Sequence, residues 1–424
     1  MKKVLIISGT PMRNDTNLGK TLQTLFSSCD PDGLAQLYFN IETPNIDACA
    51  TYWQVTEYAL IKSILGVISN KCGHRTYPDF SRKQPEKMPD GLKRKARSFS
   101  MMLGREALWR LSHWKNKNFL FWADDFQPEH IFAILSDSGE RADTVRWLAN
   151  RYHCPVTLFV TDDYYHDETN SSVWLRKAFF RDKQKRIERM ATQCCDRVIG
   201  CSEVAAQEFG ELFHVPYETI FTPSRKDLLA LPLREQKSRT CVTFRYFGNL
   251  GLERWRSLKL LGETIRKINV AAGKKRAFLE VYSPFTDESI TNELNIENGA
   301  AFMGFVSGDT FTELLASADV AVHVESFLPD MIRRTRLSIS TKIADYLGAG
   351  KCILAIGPKE VASMQHISGV AETVYAPENL KETVGNLVSS GDVRTQRQLD
   401  ARKLAAEQHS MDHITQQVRS LFEA

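Results

Sequence analysis

The sequence predicts an α/β protein with two doubly wound domains, each built around a parallel sheet. The chain has 424 residues, more than one ordinary hydrophobic core holds. Short, nearly continuous apolar runs alternate with amphipathic helical stretches, which is the pattern of β-α-β units whose sheets are covered on both faces. The alternation starts twice, on either side of a polar, proline-punctuated stretch at 222–240 that is typical of a hinge linker.

The apolar runs locate the strands, and helical periodicity locates the helices between them. Predicted strands cover 3–8, 34–39, 130–135, 156–161, 196–201 and 218–221 in the first half, and 242–247, 277–282, 320–325, 352–357 and 371–375 in the second. Predicted helices include 254–269, 309–317, 340–349 and 378–389. We therefore divide the chain into a first domain at 1–230, a second domain at 231–405, and a C-terminal helix at 406–424 that can cross back to the first domain.

Composition argues against several classes of function. Charged residues make up 25% of the chain and the net charge is only +4, which is too mild to indicate a nucleic-acid partner. The nine cysteines are odd in number and include no C-x-x-C pair, so we expect no disulfide framework or zinc site, and a cytoplasmic protein. No apolar run reaches the ~18 residues of a membrane span, and "MKKVLIISGT" is interpreted as a first strand rather than a signal peptide.

The segment "TRLSISTKIADYLGAGKCILAIGP" predicts an anion site at the start of a helix. Ser340 and Thr341 can cap that helix, but a cap needs only one hydroxyl. Lys342 follows them and three arginines precede them, so helix N–H groups and cations together favour phosphate. Asp345 lies about one turn further on, where it can accept hydrogen bonds from a ribose, and Gly350 ends the helix. A plain helix cap is the alternative.

The segment "RYFGNLGLERWRSLKLL" predicts a second anion-binding turn. Gly248 and Gly251 permit a tight turn and close approach of the backbone to a ligand, with Asn249 between them. Arg254, Arg256 and Lys259 supply cations at the next helix, and at least one of them should be solvated helix surface. Arg254 is the favoured phosphate cation. No G-x-x-x-x-G-K-[ST] motif occurs and no G-x-G-x-x-G follows the first strand, so kinase-type and nicotinamide-binding sites lack their motifs.

Titratable residues also follow one predicted strand of the second half. The run "HVESF" places His323 and Glu325 at the carboxyl end of that strand. A charged group there belongs in a cleft rather than in the core, where an unpaired charge is costly. A salt bridge at the rim with nearby arginines is the alternative.

The first half offers two loops after strands. "SGTPMRNDTNLGKTL" contains Gly19 and leads from the first strand into a helix. "TDDYYHD" holds Asp162, Asp163 and His166, the only clear acid/base grouping in this half, although an aspartate there can also simply cap a turn.

These stretches resemble retaining nucleotide-sugar glycosyltransferases with the GT-B fold, the broad glycosyltransferase family 4 and its bacterial polysaccharide branch. The second half carries the resemblance through "YFGNLGLERWRSL", "FMGFVS…LLASADVAVHVESF" and "SISTKIADYLGAGKCILAIGP". The first half matches through "GKTLQTLF", "LWRLSHW", "VTDDYY" and "CDRVIGCSE…FTPS". The resemblance implies two Rossmann-like domains facing a central cleft, with the nucleoside-diphosphate sugar on the C-terminal domain and the acceptor on the N-terminal domain.

The resemblance also implies roles for individual residues. Glu325 aligns with the first and Asp345 with the second of two acidic residues that contact sugar and ribose in the family. Here a longer stretch separates the two, and the second is an aspartate instead of the usual glutamate. Arg254 matches the cation on the pyrophosphate, helped by Lys342 and the backbone at 340–341.

Residues and resemblance together predict a glycosyltransferase that moves a sugar to a saccharide or polyprenyl-linked acceptor, with retention, in surface polysaccharide or glycan assembly. We expect no metal or other cofactor, because cations and a helix dipole can stabilise the leaving diphosphate. The candidate catalytic residues are Glu325, Asp345, Asp163 and His166, and the candidate acceptor-side residues are Gly19 and Asp162. A nucleotide-sugar 2-epimerase and a non-catalytic nucleotide-sugar-binding subunit are the alternatives.

The stretch 91–122 mixes basic and aromatic residues. Its cations are Lys93, Arg94, Lys95, Arg97, Arg105, Arg110, Lys115 and Lys117, and its aromatic residues include Trp109, Trp114, Phe119 and Trp122. Such a patch can rest on an anionic bilayer, so we expect peripheral binding to the inner face of the membrane. A helix with a solvated basic face and an aromatic core stripe is the alternative.

Overall fold

A computed structural model describes residues 2–64, 72–80, 99–166, 173–236, 240–285 and 287–423. The chain forms two compact units. The first unit consists of Met1–Ile220 together with Thr415–Ala424, and the second unit is Phe221–Ile414. Among the described residues, no helix is both long and apolar enough to cross a membrane.

The described part of the first unit contains an eight-stranded sheet. Its strands are β1 (Val4–Ser8), β2 (Leu34–Tyr38), β3 (Thr51–Gln54), β4 (His74–Thr76), β5 (His130–Ile134), β6 (Val156–Val160), β7 (Cys195–Gly200) and β8 (Tyr217–Thr219). The order is β4-β3-β2-β1-β5-β6-β7-β8, and all neighbouring pairs run parallel except β3 with β4. The helices are α1 (Asn17–Leu25), α2 (Glu57–Ile64), α3 (Phe99–Leu111), α4 (Lys117–Phe126), α5 (Gly139–Tyr152), α6 (Trp174–Cys194) and α7 (Glu203–Phe213).

In the second unit the described residues form a six-stranded, fully parallel sheet. Its strands are β9 (Val242–Phe247), β10 (Ala277–Tyr282), β11 (Ala300–Gly304), β12 (Val320–Val324), β13 (Cys352–Ile356) and β14 (Glu372–Val374), in the order β11-β10-β9-β12-β13-β14. The helices are α8 (Lys226–Leu229), α9 (Arg254–Ala271), α10 (Glu288–Asn292), α11 (Gly308–Ser317), α12 (Pro329–Thr335), α13 (Thr341–Gly348), α14 (Ala362–His366), α15 (Leu380–Ser389) and α16 (Gly391–Gln408). A last helix, α17 (Met411–Ser420), begins in the second unit and ends in the first.

The prediction of two doubly wound α/β sheets is confirmed, and every predicted strand is present close to its expected bounds. The sequence patterns missed β3, β4 and β11. β3 has only four residues, two of the three β4 side chains are exposed, and β11 is only partly buried. None of the three therefore shows the long apolar run that marks a buried parallel strand.

The stretch predicted as a linker is packed in its described part. Residues 222–236 belong to the second unit and include α8. The Ser224 hydroxyl donates to the backbone carbonyl of Ala344 at 2.7 Å, and Leu228 is fully buried. This segment is therefore part of the second core rather than a free connection.

The last residues of the described chain complete the first unit. The backbone N–H of Lys2 donates to the carbonyl of Phe422 at 3.2 Å. The Phe422 ring stacks on Phe26 and meets Phe132 edge-on. The segment after α17 is thus buried against the first sheet.

A cluster of buried charge joins three helices of the first unit. The Arg186 guanidinium on α6 donates to Glu106 on α3 and to Glu140 and Asp143 on α5, each at 2.6 Å. Because a buried charge must be paired, this cluster fixes how the three helices pack.

A pair of histidines, His409 buried and His366 half-buried, lies in the second unit. The Nε2 atoms of His366 and His409 are 2.8 Å apart, and Nδ1 of His409 donates to the carbonyl of Thr222 at 2.7 Å. His409 Nε2 must therefore accept from His366, which requires His409 to be neutral. Burial, with a smaller contribution from His409, lowers the pKa of His366 to about 3, and burial also lowers the pKa of His409.

We predict that this pair makes the protein less stable in acid. The unfolded histidines titrate near pH ~6.5, so between that pH and the lowered folded pKa the unfolded chain binds more protons and the free energy of unfolding falls as pH falls. The decrease in the free energy of unfolding between pH 7 and pH 5 should be smaller in His366→Asn than in the wild type, by about 1–2 kcal/mol. Urea unfolding at both pH values measures it, and equal losses in the two proteins would contradict the assignment.

Candidate functional site

The strand order of the second sheet reverses between β9 and β12. In a parallel sheet, the loops that follow two such strands diverge and leave a crevice at their carboxyl ends, the usual ligand position in this kind of sheet. The loop after β9 leads into α9 at Arg254, and Glu325 is the first residue after β12. The structure brings these two predicted site residues into direct contact.

Arg254 and Glu325 form a two-pronged ion pair. Nε of Arg254 lies 3.1 Å from Oε2 of Glu325, and Nη2 lies 2.9 Å from Oε1. Glu325 is only 1% exposed, whereas 20% of the Arg254 side chain is exposed. Burial raises the pKa of Glu325, and the Arg254 guanidinium opposes that rise. The predicted alternative of a salt bridge is therefore present, but it is buried rather than at a rim.

His323 adds a buried neutral imidazole beside the pair. Burial, helped by the charge of Arg254, lowers the pKa of His323 to about 3. Its Nε2 lies 3.6 Å from Oε1 of Glu325 and has no hydrogen-bond partner within the described structure. Gly357, at the end of β13, packs so closely on Glu325 that an added Cβ would approach its Cβ to 2.9 Å. The Glu325 side chain thus lies between His323 and Gly357.

The turn before α9 differs from the glycine turn that we expected. Leu252 and Glu253 are the residues with left-handed backbone, each at φ +59°, and the turn's two glycines are not in that region. Asn249 stabilises the turn, because its Oδ1 accepts from the Gly251 N–H at 2.8 Å. Gly248 leaves room for the Tyr246 hydroxyl, which would lie 2.6 Å from an added Cβ.

The hydroxyl-rich segment forms the start of α13 without acting as a side-chain cap. Ser340 is the N-cap residue, but its hydroxyl makes no capping hydrogen bond, and Thr341 is exposed. Nζ of Lys342 lies 3.1 Å from Oδ2 of Asp345 and 4.2 Å from the centroid of the Phe311 ring. The alternative of a plain Ser340 cap is therefore not what the structure shows.

A tyrosine joins α13 to the end of β9. The Tyr346 hydroxyl accepts from the Phe247 N–H at 3.2 Å and lies 3.4 Å from the Phe247 carbonyl. Phe311, which contacts Lys342, also packs edge-on against Phe247. The start of α13 is thereby fixed beside the loop that carries Gly248 and Asn249.

Of the two acceptor-side candidates of the first unit, Gly19 lies in α1 and Asp162 lies in a loop. Gly19 is required by packing, because an added Cβ would lie 2.4 Å from the Thr16 hydroxyl. Asp162 lies in the loop after β6, where its Oδ2 is 3.4 Å from the Tyr164 hydroxyl.

Asp163 and His166 do form a cluster, with a glutamate that the sequence did not indicate. Nδ1 of His166 lies 3.1 Å from Oδ1 of Asp163 and 3.4 Å from Oε1 of Glu208 on α7. The possible ligand atoms of the three residues lie within 4.8 Å of one another, close enough for one divalent cation.

The basic and aromatic stretch divides into two parts. Residues 91–98, with four of its cations, lie outside the described residues. Of the rest, the aromatic residues Trp109, Trp114, Phe119 and Trp122 are all buried, and their rings pack against one another. These rings form part of the core, so they cannot insert into a membrane.

Solved structures share this fold over the whole chain. Trehalose-6-phosphate synthase from Burkholderia multivorans matches with a TM-score of 0.59 and 10% identity, covering 99% of each chain. Sucrose-phosphate synthase from Thermosynechococcus elongatus matches with a TM-score of 0.56 and 11% identity, covering 99% of this chain and 98% of that one. WaaG, a glycosyltransferase involved in lipopolysaccharide biosynthesis, matches with a TM-score of 0.57 and 10% identity, covering 99% and 100%.

The chain has the GT-B fold. No protein-family model and no curated protein sequence matches it. At such low identity the structural likeness establishes the fold alone. The roles of individual residues in this GT-B protein therefore rest on its own geometry.

Several residues near the GT-B candidates were not predicted to be important. Tyr346 and Gly357 are ordinary core residues by sequence pattern, and Ser257 is one more polar position on a helix. Ser257 nevertheless donates to the Glu325 carbonyl at 2.9 Å. No sequence signal identifies such contacts, because they join residues that are distant in the chain.

We predict that Arg254→Ala destabilises the protein and does so more at pH 7.5 than at pH 5. The substitution leaves Glu325 buried and unpaired, which costs about 3 kcal/mol when it is charged. A carboxyl whose folded pKa is raised contributes stability at low pH that is lost as pH rises through that pKa. Urea unfolding at the two pH values tests this.

The matched control is Arg256→Ala, which removes an exposed arginine from the same helix. Its pair with Glu253 is on the surface and should be worth less than ~1 kcal/mol. Arg254→Ala could lower the free energy of unfolding as little as Arg256→Ala does, or by the same amount at both pH values. Either result would show that Glu325 does not depend on Arg254.

Proposed function

We propose that this protein is a glycosyltransferase that uses a nucleoside-diphosphate sugar. The observation that carries the proposal is the buried Arg254–Glu325 pair at the strand-order reversal of the second sheet. The start of α13, with Lys342, is held beside the same strand end. Cations and helix N–H groups at this edge suit a diphosphate, and a carboxylate one turn into the helix suits a ribose.

The chemistry follows from where charge develops. When the sugar leaves its donor, negative charge accumulates on the diphosphate oxygens, and pre-placed cations stabilise it. Two nitrogens of Arg254 are held by Glu325, which leaves Nη1 for a phosphate oxygen. Glu325 thus positions Arg254 in addition to its proposed contact with the sugar. No candidate for a covalent nucleophile stands out, and we propose retention without a metal ion.

The acceptor is proposed to be a saccharide or a polyprenyl-linked saccharide, in surface polysaccharide or glycan assembly. Asp163 and His166 supply acid/base groups in the first unit, where GT-B enzymes bind acceptors. Two similar structures were determined with ligands, one with glucose 6-phosphate and one with UDP-2-fluoro glucose. UDP-glucose is therefore the first donor to test.

The proposal is tested by incubating the protein with a panel of nucleoside-diphosphate sugars and candidate acceptors. Release of nucleoside diphosphate together with a glycosylated acceptor supports it. An isomerised donor would instead indicate a 2-epimerase, and donor binding without turnover a binding subunit. A parallel reaction with EDTA should proceed equally fast, whereas a loss of rate would point to a cation at Asp163, His166 and Glu208.

We predict that Lys342→Ala weakens binding of the nucleoside diphosphate about ten- to a hundredfold. A hydrogen bond to a charged group is worth roughly 1.5–3 kcal/mol, which corresponds to that range. Asp345→Asn should also weaken binding, because the amide replaces one acceptor oxygen for the ribose hydroxyls. Calorimetry with free UDP measures both. Lys267→Ala, an exposed lysine at the far end of α9, is the control and should bind normally.

Normal UDP binding by both Lys342→Ala and Asp345→Asn would remove α13 from the donor site. Weaker UDP binding in only one of the two variants would keep α13 in the donor site. It would also show that the other residue does not contact the nucleotide. Equal weakening in Lys267→Ala would mean that the effect is a general loss of positive charge rather than a local contact.

We also propose that the protein is cytoplasmic and binds the inner face of an anionic membrane. The described surface that supports this is the start of α6, where Trp174 is 78% exposed, Leu175 is exposed, and the exposed cations Lys177 and Arg181 follow. An exposed tryptophan among cations suits the lipid headgroup region.

We predict that the protein sediments with anionic vesicles but not with neutral ones, and that binding weakens as salt rises. Each nearby cation adds about 1 kcal/mol, an attraction that acts over about 8 Å at physiological salt. Trp174→Ala should remove the part of binding that persists in high salt. Equal binding to both kinds of vesicle would contradict the electrostatic attraction. No binding to either kind would contradict this surface and favour a soluble acceptor.

A further inference from the structure

The buried carboxyl group of Glu325 has a charged donor on one side and an imidazole ring on the other. Its Oε2 accepts from Nε of Arg254 at 3.1 Å, and its Oε1 accepts from Nη2 at 2.9 Å. Oε1 also lies 3.6 Å from Nε2 of His323, and the side chains of Glu325 and His323 are no more than 5% exposed. Oε1 therefore stands between a guanidinium and a buried ring nitrogen.

The ring nitrogen of His323 that faces Oε1 is unpartnered. Nε2 is buried and makes no hydrogen bond within the described structure. A neutral imidazole carries one N–H, and a ring N–H that faced a carboxylate would form a short, charge-assisted bond. The 3.6 Å separation is too long for such a bond, which places the hydrogen on Nδ1 and a lone pair on Nε2. Nε2 is thus a hydrogen-bond acceptor that lacks a donor.

The other titratable group beside Glu325 is Tyr246. Its hydroxyl donates to the carbonyl of Asn249 at 2.8 Å, and burial raises its pKa, so the hydroxyl stays protonated. Gly357, at the end of β13, contacts Glu325 but has no titratable group. In the described part of the chain, Arg254 and His323 are thus the two groups that set the charge of Glu325.

A diphosphate bound at Arg254 changes the charge balance around Glu325. Burial raises the pKa of Glu325, and Arg254 is the group that opposes this rise. A terminal phosphate carries a charge of about −1.5 to −2, so a phosphate oxygen on Nη1 competes for the same guanidinium. Its like charge near the carboxylate raises the carboxyl pKa further. One cation then faces two anions in a buried site, where an unpaired charge is costly.

We propose that diphosphate binding makes Glu325 take up one proton from solvent, and that Oε1 then donates this proton to Nε2 of His323. The carboxyl group becomes neutral and His323 stays neutral. Nη2 of Arg254 is released from Oε1 and joins Nη1 on two diphosphate oxygens, which is the two-pronged geometry that a guanidinium favours. His323 acts through Glu325 rather than on the donor, so it is a positioning residue.

This inference rests on the proposed donor site, because Arg254 must meet the diphosphate there. It adds to that site a coupling between the nucleotide and pH. The proton that enters with the diphosphate leaves when the nucleoside diphosphate is released, because the two binding events stabilise each other reciprocally.

Calorimetry with UDP at pH 7, in Tris and in HEPES, tests the proton uptake, because the two buffers have different heats of ionisation. The wild type should take up about half a proton or more for each UDP bound. Glu325→Gln should take up none, because its amide does not titrate. Glu382→Gln, which removes an exposed carboxyl group from α15, is the matched control and should take up as much as the wild type.

Two variants of His323 separate its role as an acceptor from its role in packing. His323→Leu fills the space without an acceptor and should reduce the proton uptake. His323→Gln can present an amide oxygen near the position of Nε2, so it should retain most of the uptake.

The pH profile of UDP binding checks the sign of the coupling. Proton uptake means that the affinity of the wild type falls as pH rises, by about threefold or more between pH 7 and pH 8.5. The diphosphate itself is largely ionised over this range, since its last pKa is about 6. The affinity of Glu325→Gln should therefore stay nearly constant over the same range.

UDP binding by the wild type without proton uptake, or with an uptake that Glu325→Gln retains, would overturn this inference and leave the donor site in place. Full uptake in His323→Leu would overturn the role of His323. Absence of UDP binding would remove the donor site and this inference together. If His323→Leu does not fold, nitrogen-15 NMR of the wild-type histidine rings decides: a hydrogen on Nδ1 of His323 in the free protein supports the proposal, and one on Nε2 overturns it.

Discussion

Parallel pairing of the strands is the constraint on which this structure depends. A parallel strand can be continued only by a crossover to its other end, so the loops that follow the strands all emerge at one edge of a sheet. Where the strand order reverses, successive crossovers cover opposite faces and their loops separate. Arg254 with Glu325 stands at the reversal of the second sheet, and the loop that begins at Gly9 stands at that of the first. The position of both groups thus follows from backbone hydrogen bonding.

Buried charge specifies how the helices are arranged on that frame. Removing a charge from water costs several kcal/mol unless partners surround it, so a buried cation allows few alternative packings. Arg186 links α3, α5 and α6 in this way. Lys351 does the same at the end of α11, where its ammonium donates to the carbonyl of Ala316 at 2.6 Å and burial lowers its pKa to about 7. Hydrophobic cores alone tolerate many arrangements, and these polar contacts select one.

The fold was predictable because buried parallel strands have a strong signal. Long apolar runs such as "CILAIG" identified the sheets, whereas β4 and β11 are partly exposed and gave no comparable pattern. The helix start at Arg254 and the segment at Ser340 were also identified, since cations and hydroxyls at a helix start are local features. A salt bridge at Glu325 was one of the alternatives, but its partner Arg254 was not predicted, because the two residues are distant in the chain. For the aromatic rings of 109–122 the structure supports the alternative of a core stripe, which composition could not separate from a membrane-facing patch because it does not show which face of a helix is buried.

The segment after α17 has a consequence for how the chain folds during synthesis. Both Lys2 and Phe422 belong to the first unit, while the whole of Phe221–Ile414 lies between them in sequence. A ribosome therefore makes the entire second unit before it makes Phe422, which packs on Phe26 and Phe132. Domains commonly fold in the order of their synthesis, but here the first unit is complete only after Phe422 has been made. Until then, the rings of Phe26 and Phe132 lack their partner Phe422.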